Sequence, residues 1–261
     1  MPLVELRDRR AIASLLLRNP AAHVYELGDL DDFYWPDTRW LGWQPGGVLE
    51  QVVLLYTRPD VPVLLAIADA PASTMADLLE AALPGLPAPL YVHATAPLLD
   101  TLVRRYRVAS AAPHLKLALG ATELVRRQAL PVEVLGPDDL PAIVALYADA
   151  YPGTWFEPRQ LATGRYVGIW QAGRLACVAG VHVYSPTWGV AALGNVATLP
   201  ELRGRGLARG ACAALCCLLL EDGIETIALN VRADNVAAIR AYTRLGFEQA
   251  AEYVEASLVT S

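Results

Sequence analysis

A strand pattern passes into a helix pattern through the stretch Val196-Ala197-Thr198-Leu199-Pro200-Glu201-Leu202-Arg203-Gly204-Arg205-Gly206-Leu207-Ala208. Gly204 and Gly206 stand directly before the helix, where the absence of a Cβ lets the backbone come close to a ligand. The first turn of a helix also presents unbonded N–H groups and the positive end of the helix dipole to an anion. Arg203, Arg205 and Arg209 add positive charge at the same end. By itself the stretch fits a pyrophosphate-binding loop and a tight turn with solvated arginines equally well.

Two familiar phosphate-binding loops are excluded. A P-loop requires a Gly-Lys-Ser/Thr sequence, and none follows these glycines. The dinucleotide pattern GxGxxG also fails, because Arg209 stands where its third glycine belongs and Gly210 comes one residue late. The meaning of the loop therefore depends on a second motif.

That second motif lies downstream and reads Asn230-Val231-Arg232-Ala233-Asp234-Asn235-Val236-Ala237-Ala238-Ile239-Arg240-Ala241-Tyr242-Thr243-Arg244-Leu245-Gly246-Phe247. The two stretches resemble the two signatures of the GCN5-related N-acetyltransferases (GNAT), Arg/Gln-x-x-Gly-x-Gly/Ala and Asn-x-x-Ala-x-x-x-Tyr-x-x-x-Gly-Phe. The resemblance covers residues 131–258 and is closest to the FR47-like branch. It implies an enzyme that transfers an acetyl group from acetyl-CoA, its co-substrate, to a primary amine by direct attack in a ternary complex.

The resemblance also implies roles for individual residues. It assigns coenzyme binding to Val196, Ala197, Thr198, Arg203, Gly204, Arg205, Gly206, Leu207, Ala208, Asn230, Asn235 and Tyr242. In the family the strand before the loop splays from its neighbour, and its backbone holds the pantetheine arm. The hydroxyl of Tyr242 would protonate the departing thiolate, although a core tyrosine is the plainer interpretation. Asn235 also stands where a helix N-cap is wanted, and capping is compatible with coenzyme contact.

The general base is not evident from the sequence. Many GNAT enzymes place a glutamate on the strand before the loop, but residues 190–195 contain no carboxylate. Glu157 is one candidate, because in the family its loop borders the acceptor pocket. Tyr184, His182 and a water molecule held by Asn195 are the others, and each of these side chains could instead be structural. A cysteine acyl-enzyme is not expected, because the cysteines lie within predicted secondary structure.

The chain is predicted to fold as two tandem GNAT-like α/β (α+β) domains, each with a mixed, mostly antiparallel sheet flanked by helices. The boundary is placed near Leu130, giving a first domain at 1–130 and a catalytic domain at 131–261. The second half predicts strands at 165–170, 175–184, 190–197, 226–231 and 252–258, and helices at 139–150, 206–222 and 236–245. The first half predicts a similar order, with strands at 40–44, 49–56, 63–68, 90–93 and 115–119, and helices at 8–18, 73–83 and 97–106.

The first half lacks a counterpart of the glycine-rich loop. Its corresponding stretch, residues 69–74, contains neither glycine nor arginine. The first domain is therefore predicted to be a degenerate copy without a coenzyme site, which packs against the catalytic domain and shapes its acceptor pocket. The acidic and aromatic stretch at 29–35 could line that pocket or form a surface turn.

Composition narrows the class of protein. The 261 residues are 54% hydrophobic and 18% charged, enough apolar material for one or two cores. The net charge of −6 argues against a nucleic-acid partner, which needs a basic face. Charges near the start argue against an export signal, and the apolar run at 211–220 is too short to span a bilayer, so a cytoplasmic protein without membrane contact is expected.

The four cysteines, Cys177, Cys212, Cys216 and Cys217, are predicted to be small core residues, and no metal site is expected.

The amine acceptor is not encoded in any motif. A small amine or amino acid is favoured over a protein, because two domains can enclose a pocket. The sequence determines neither the length of the acyl chain nor the oligomeric state. The alternative from another functional class is an acyl-CoA-binding sensor or assembly module that has lost turnover, which the missing strand carboxylate would explain.

Overall fold

The computed structural model describes residues 2–69 and 72–260, which form two compact units. The first unit comprises Met1–Lys116, Arg232–Asp234 and Ala250–Ser261, and the second comprises Leu117–Val231 and Asn235–Gln249. Residues 117–130 thus belong to the second unit, and most of the C-terminal strand belongs to the first. The domain boundary near Leu130 stays a prediction of how the chain is organised.

The strands and helices are numbered in chain order. The strands are β1 (Leu3–Leu6), β2 (Thr38–Trp43), β3 (Gln51–Tyr56), β4 (Val63–Ala66), β5 (Leu90–Ala94), β6 (Tyr106–Leu119), β7 (Glu133–Val134), β8 (Val167–Gln171), β9 (Arg174–Ser185), β10 (Val190–Thr198), β11 (Thr226–Arg232) and β12 (Phe247–Thr260). The helices are α1 (Arg9–Leu16), α2 (Val24–Asp29), α3 (Ala72–Ala82), α4 (Leu99–Leu102), α5 (Thr122–Gln128), α6 (Leu140–Ala150), α7 (Leu207–Glu221) and α8 (Val236–Arg244). A 3₁₀ segment, Pro158–Thr163, precedes β8.

The two units repeat one strand plan. In the first unit the order is β1-β2-β3-β4-β5-β12-β6, and in the second it is β7-β8-β9-β10-β11. Neighbours from β1 to β4 are antiparallel and β4 with β5 is parallel. Likewise, neighbours from β7 to β10 are antiparallel, and β10 with β11 is parallel. A helix, α3 or α7, connects each parallel pair, as a parallel crossover requires. The predicted fold of two tandem copies is therefore confirmed.

Local sequence accounts for the ends of several helices. The Asp8 carboxylate caps α1 by accepting from the N–H groups of Arg10 and Ala11 at 2.9 and 3.1 Å. Asn235 caps α8 in the same way, with its Oδ1 3.1 Å from the N–H of Ala238. The sequence predicted the cap at Asn235 and the start of α8 at Val236, whereas it placed Asp8 inside the first helix rather than at its cap.

The cysteines are packing residues. Cys177, Cys212 and Cys216 are buried, Cys217 is partly buried, and all four are free thiols. Burial raises the pKa of the Cys177 thiol to about 11. Thiols that stay protonated in an apolar core are poor nucleophiles. The prediction that the cysteines are small core residues is therefore confirmed for Cys177, Cys212 and Cys216, whereas Cys217 is partly exposed.

Some predicted elements differ from the structure. The helix expected at 97–106 is reduced to the short α4, and the chain has already entered β6 at Tyr106. The predicted junction contains α5, a helix that the sequence did not predict. This helix carries charged residues on its exposed side but buries Val125 completely, and it packs on α7. One buried residue in seven is too weak a pattern to show a helix in the sequence.

A buried ionic cluster lies in the first unit. His23 is only 5% exposed, and its Nδ1 and Nε2 lie 3.3 Å from Glu26 Oε1 and 3.2 Å from Asp69 Oδ2. Burial alone would lower the pKa of His23, but the hydrogen bonds to Asp69 and Glu26 outweigh it and raise the pKa to about 9. The imidazole is thus held as a cation between two carboxylates.

The free energy of unfolding should consequently fall at alkaline pH. Because the pKa of His23 is higher in the folded protein than the ordinary 6.5, its stabilisation is complete below 6.5 and is lost as pH rises through about 9. The loss should be on the order of 3 kcal/mol. Thermal unfolding of the wild type and of His23→Gln, followed from about pH 6 to about pH 10, measures it. Equal pH dependence in the two proteins would show that His23 does not carry the effect.

None of the helices formed by the described residues is both long and apolar enough to cross a membrane.

Candidate active site

The parallel strands β10 and β11 separate halfway along β10. Their pairing runs from Val190 opposite Thr226 to Leu193 opposite Leu229 and goes no further. Beyond that point β10 continues to Thr198 while paired with β9 on its other side. The edge of β10 from residue 194 to 198 therefore faces a crevice whose opposite wall begins at Asn230. The splay implied by the family resemblance is present.

A bulge in β10 shapes the start of this crevice. The pairing with β9 shifts register between Gly194 and Ala197, and Asn195 adopts a left-handed conformation with φ of 55°. A bulge of this kind bends the strand and turns it from its neighbour. The divergence of β10 from β11 therefore has a local backbone cause.

The Asn195 side chain is buried and engaged by the protein. Its Oδ1 accepts from Thr154 Oγ1 at 2.9 Å, and its Nδ2 donates to Tyr166 Oη at 2.8 Å and to Gln160 Oε1 at 3.2 Å. The Tyr147 hydroxyl donates to the Asn195 carbonyl at 2.8 Å. This network holds the bulge, and no sequence motif pointed to the four residues that surround Asn195. The suggested role of Asn195 in holding a catalytic water stays a prediction.

The glycine loop after β10 leaves a run of backbone N–H groups without partners. Gly204 and Gly206 have φ of 77° and 82°, a region that favours glycine, and Gly206 is the N-cap of α7. A Cβ at Gly204 would meet no atom within 4 Å, so the loop surface there is open. Among the described residues, no group accepts a hydrogen bond from the N–H groups of residues 204–208. Consecutive unbonded N–H groups at the start of a 15-residue helix form an anion-binding surface.

The arginines of the loop divide into two kinds. Arg203 braces the loop, because its Nε donates to the Thr198 carbonyl at 3.3 Å and its Nη2 to the Ala150 carbonyl at 2.8 Å. Arg205 is exposed and Arg209 is partly exposed. Within residues 2–69 and 72–260, no carboxylate forms an ion pair with either of these two, so their charge is available to a ligand.

A polar atom lies on β11 at the first residue beyond its pairing with β10. Asn230 Oδ1 is buried and has no hydrogen-bond partner in the described part of the chain. An unsatisfied buried acceptor is costly, and a ligand N–H that entered the crevice would relieve the cost. Tyr242 is half-buried on α8, where its ring packs edge-to-face on Phe247 with centroids 5.9 Å apart.

Two of the predicted general-base candidates are held by charged neighbours. Glu157 lies at the start of the 3₁₀ segment, where Arg159 Nε donates to its Oε2 at 2.9 Å. Tyr184 donates from its hydroxyl to Asp222 Oδ2 at 3.0 Å, and Arg165 also binds Asp222 through two nitrogens. Glu157 also donates its backbone N–H to Gln160 Oε1 at 3.3 Å, and Gln160 in turn holds Asn195, so the segment of Glu157 borders the bulge of β10.

The equivalent strands of the first unit stay closed. β4 and β5 pair along the whole of β4, up to Ala66 opposite Ala94. Thr95 then continues the closure, because its N–H donates to the Ala66 carbonyl at 3.2 Å and its Oγ1 accepts from the N–H of Ala68 at 2.9 Å. Pantetheine has no opening between these strands. This supports the prediction that the first domain is a copy without a coenzyme site.

In the part of the chain that the structure describes, no group of three or more His, Cys, Asp or Glu side chains could hold a metal ion.

Comparisons with known proteins agree with this geometry. The sequence model of the acetyltransferase (GNAT) family matches residues 140–247. The mycothiol acetyltransferase of Tsukamurella paurometabola is 36% identical over 103 residues, 38% of this chain and 35% of that protein. The chain thus corresponds to about a third of the length of this relative.

Two further proteins extend the likeness. The ribosomal protein bS18-alanine N-acetyltransferase of Escherichia coli K12 is 32% identical over 123 residues, 46% of this chain and 81% of that protein. A tandem GNAT protein from the clavulanic acid biosynthesis pathway superimposes with a TM-score of 0.58 at 16% identity, covering 99% of this chain and 97% of its own, and shares the fold. Sequence motifs, crevice and relatives agree, and the chain belongs to the acetyltransferase (GNAT) family.

Proposed function

We propose that the protein is an N-acyltransferase that transfers an acetyl group from acetyl-CoA to a primary amine, with the coenzyme bound in the second unit. One observation carries the proposal. The crevice that opens beyond Leu193 and Leu229 leads to the unbonded N–H groups of residues 204–208. An extended arm that ends in a pyrophosphate fits a strand crevice followed by an anion-binding helix end.

Each part of the coenzyme has a matching group. The pyrophosphate would accept from the N–H groups of Gly204, Arg205, Gly206, Leu207 and Ala208, with Arg205 and Arg209 adding positive charge. The pantetheine arm would pair with the open backbone edge at Val196, Ala197 and Thr198. Its amide N–H would donate to Asn230 Oδ1, the buried acceptor without a partner. Arg203 supports the loop, and Asn235 would contact the arm from its cap position.

The chemistry requires few groups. The neutral amine attacks the thioester carbonyl, the N–C bond forms, and the C–S bond breaks. Tyr242 would give its hydroxyl proton to the departing thiolate, and a base must take the surplus proton of the amine. Backbone N–H groups at the bulge of β10 can stabilise the developing oxyanion. The free enzyme is restored by proton exchange with water.

The acceptor is proposed to be a small amine or amino acid. The relatives are named for acetylating mycothiol and an alanine of a ribosomal protein, so both a small molecule and a protein occur among them. The net charge of −6 suits a cationic amine. A protein N-terminus is the competing outcome of the test below.

Thermal shift and thiol release test this function together. Acetyl-CoA at about 100 times its Kd should stabilise the folded protein by about 2.7 kcal/mol and raise the melting temperature. Free CoA thiol should then appear with amino acids, small polyamines or a peptide that begins with alanine. Binding without thiol release on any of these acceptors would favour an acyl-CoA sensor. If acetyl-CoA does not raise the melting temperature, both the acyltransferase and the acyl-CoA sensor hypotheses are overturned.

A further inference from the structure

His182 lies directly against the strand that forms the crevice. A Cβ built on Gly194 would lie 2.0 Å from His182 Cδ2 and 2.3 Å from Nε2. The imidazole edge that carries Nε2 thus occupies the space where any other residue at 194 would place its side chain. Gly194 is also the first residue of β10 beyond its pairing with β11. Nε2 therefore sits over the backbone at the closed end of the crevice.

The imidazole shares a face of the sheet with the segment before β8. Gly180 is paired with Gly194 across β9 and β10, so side chains at these two positions would share the face on which the His182 ring lies against Gly194. On that side a Cβ at Gly180 would lie 2.2 Å from the Tyr166 ring, and Tyr166 packs on Phe156 with centroids 5.7 Å apart. His182 is itself partly exposed. A ligand that approaches the end of the crevice from this face would meet Nε2.

The neighbouring titratable side chains are engaged by the protein. Burial raises the pKa of Tyr166, and burial together with Asp222 raises the pKa of Tyr184. Glu157, in the segment that packs on β9, is ion-paired with Arg159. Histidine is the side chain whose ordinary pKa lies closest to neutral pH, which suits a general base.

We propose that His182 is the general base of the transfer reaction, an inference that rests on the proposed function. Nε2 of the neutral imidazole takes one proton from the attacking amine while the N–C bond forms. The electron pair of the C–S bond leaves with sulfur, which receives the proton of Tyr242. Loss of the proton from His182 and reprotonation of Tyr242 by water complete the cycle.

Imidazole NMR signals test the location without an acceptor. The sequence has four histidines, and the spectrum of His182→Gln identifies the signal of His182. Saturating acetyl-CoA should shift that signal and leave those of His23, His93 and His114 in place. If acetyl-CoA raises the melting temperature but the His182 signal does not move, this inference alone is overturned. If the melting temperature does not rise, the proposed function fails and the inference fails with it.

Kinetics with the best acceptor test the role. His182→Gln should lower kcat by roughly 10²- to 10⁴-fold and remove the acidic limb of the pH–rate profile, with an unchanged acetyl-CoA thermal shift. Imidazole in the buffer should restore part of the rate of His182→Ala in proportion to its concentration, which a purely structural role would not produce. A His182→Gln enzyme that keeps its rate and its acidic limb would exclude His182 as the base.

Discussion

Acetyl-CoA should not raise the melting temperature of a Gly206→Leu variant. Gly206 has φ of 82° at the N-cap of α7, where a leucine side chain would cover the N–H groups proposed to bind the pyrophosphate. Loss of the pyrophosphate contacts removes the main charged anchor of the coenzyme. The variant should also lose about 1–2 kcal/mol of stability, because an L-residue is strained in the left-handed region.

Gly223→Leu is the matched control for this variant. Gly223 lies just past the other end of α7 and has the same φ of 82°. A Cβ added to Gly223 would have no atom within 4 Å. The backbone strain is therefore equal, whereas the coenzyme loop is untouched. Gly223→Leu should melt earlier without acetyl-CoA but show the full wild-type rise with it. A rise that survives in Gly206→Leu would place the pyrophosphate elsewhere.

Tyr242→Phe should slow thiol release by roughly 10²- to 10⁴-fold, the usual contribution of a positioned general acid. The phenylalanine ring can keep the edge-to-face contact with Phe247, so α8 should stay folded. The acetyl-CoA thermal shift should change little, because the hydroxyl matters when the thiolate departs. Steady-state kinetics and the thermal shift, taken together, separate turnover from binding.

Removal of a hydroxyl elsewhere controls for this effect. Tyr56→Phe removes a partly exposed hydroxyl from β3 in the first unit and should keep the wild-type rate. A Tyr242→Phe enzyme with near wild-type kcat would mean that Tyr242 is a packing residue, and water would then protonate the thiolate.

The local features of the second unit were readable from the sequence. The glycines before α7 and the cap residue Asn235 act through neighbours within a few residues, so short motifs encode them. Strand and helix periodicity, which depends on residues two to four apart, predicted most elements of both units and their repeated order. The short helices were less predictable, because α4 and α5 offer too few buried positions to form a pattern.

The shape of the site depended on contacts between residues far apart in the chain. No sequence motif predicts that Thr154, Gln160 and Tyr166 hold Asn195 in a bulge. Nor does any motif predict that Thr95 closes the corresponding strands of the first unit.

The sequence by itself determined the family, the tandem plan and the loop that would meet the pyrophosphate, since these follow from local chemistry and periodicity. Only the tertiary structure decided where β10 leaves β11, why one copy opens and the other stays closed, and which side chains surround the bulge of β10. His182 and Gly194 sit on adjacent strands, and their contact exists only once β9 and β10 are paired. Strand register, which is set by packing over the whole sheet, fixes such contacts.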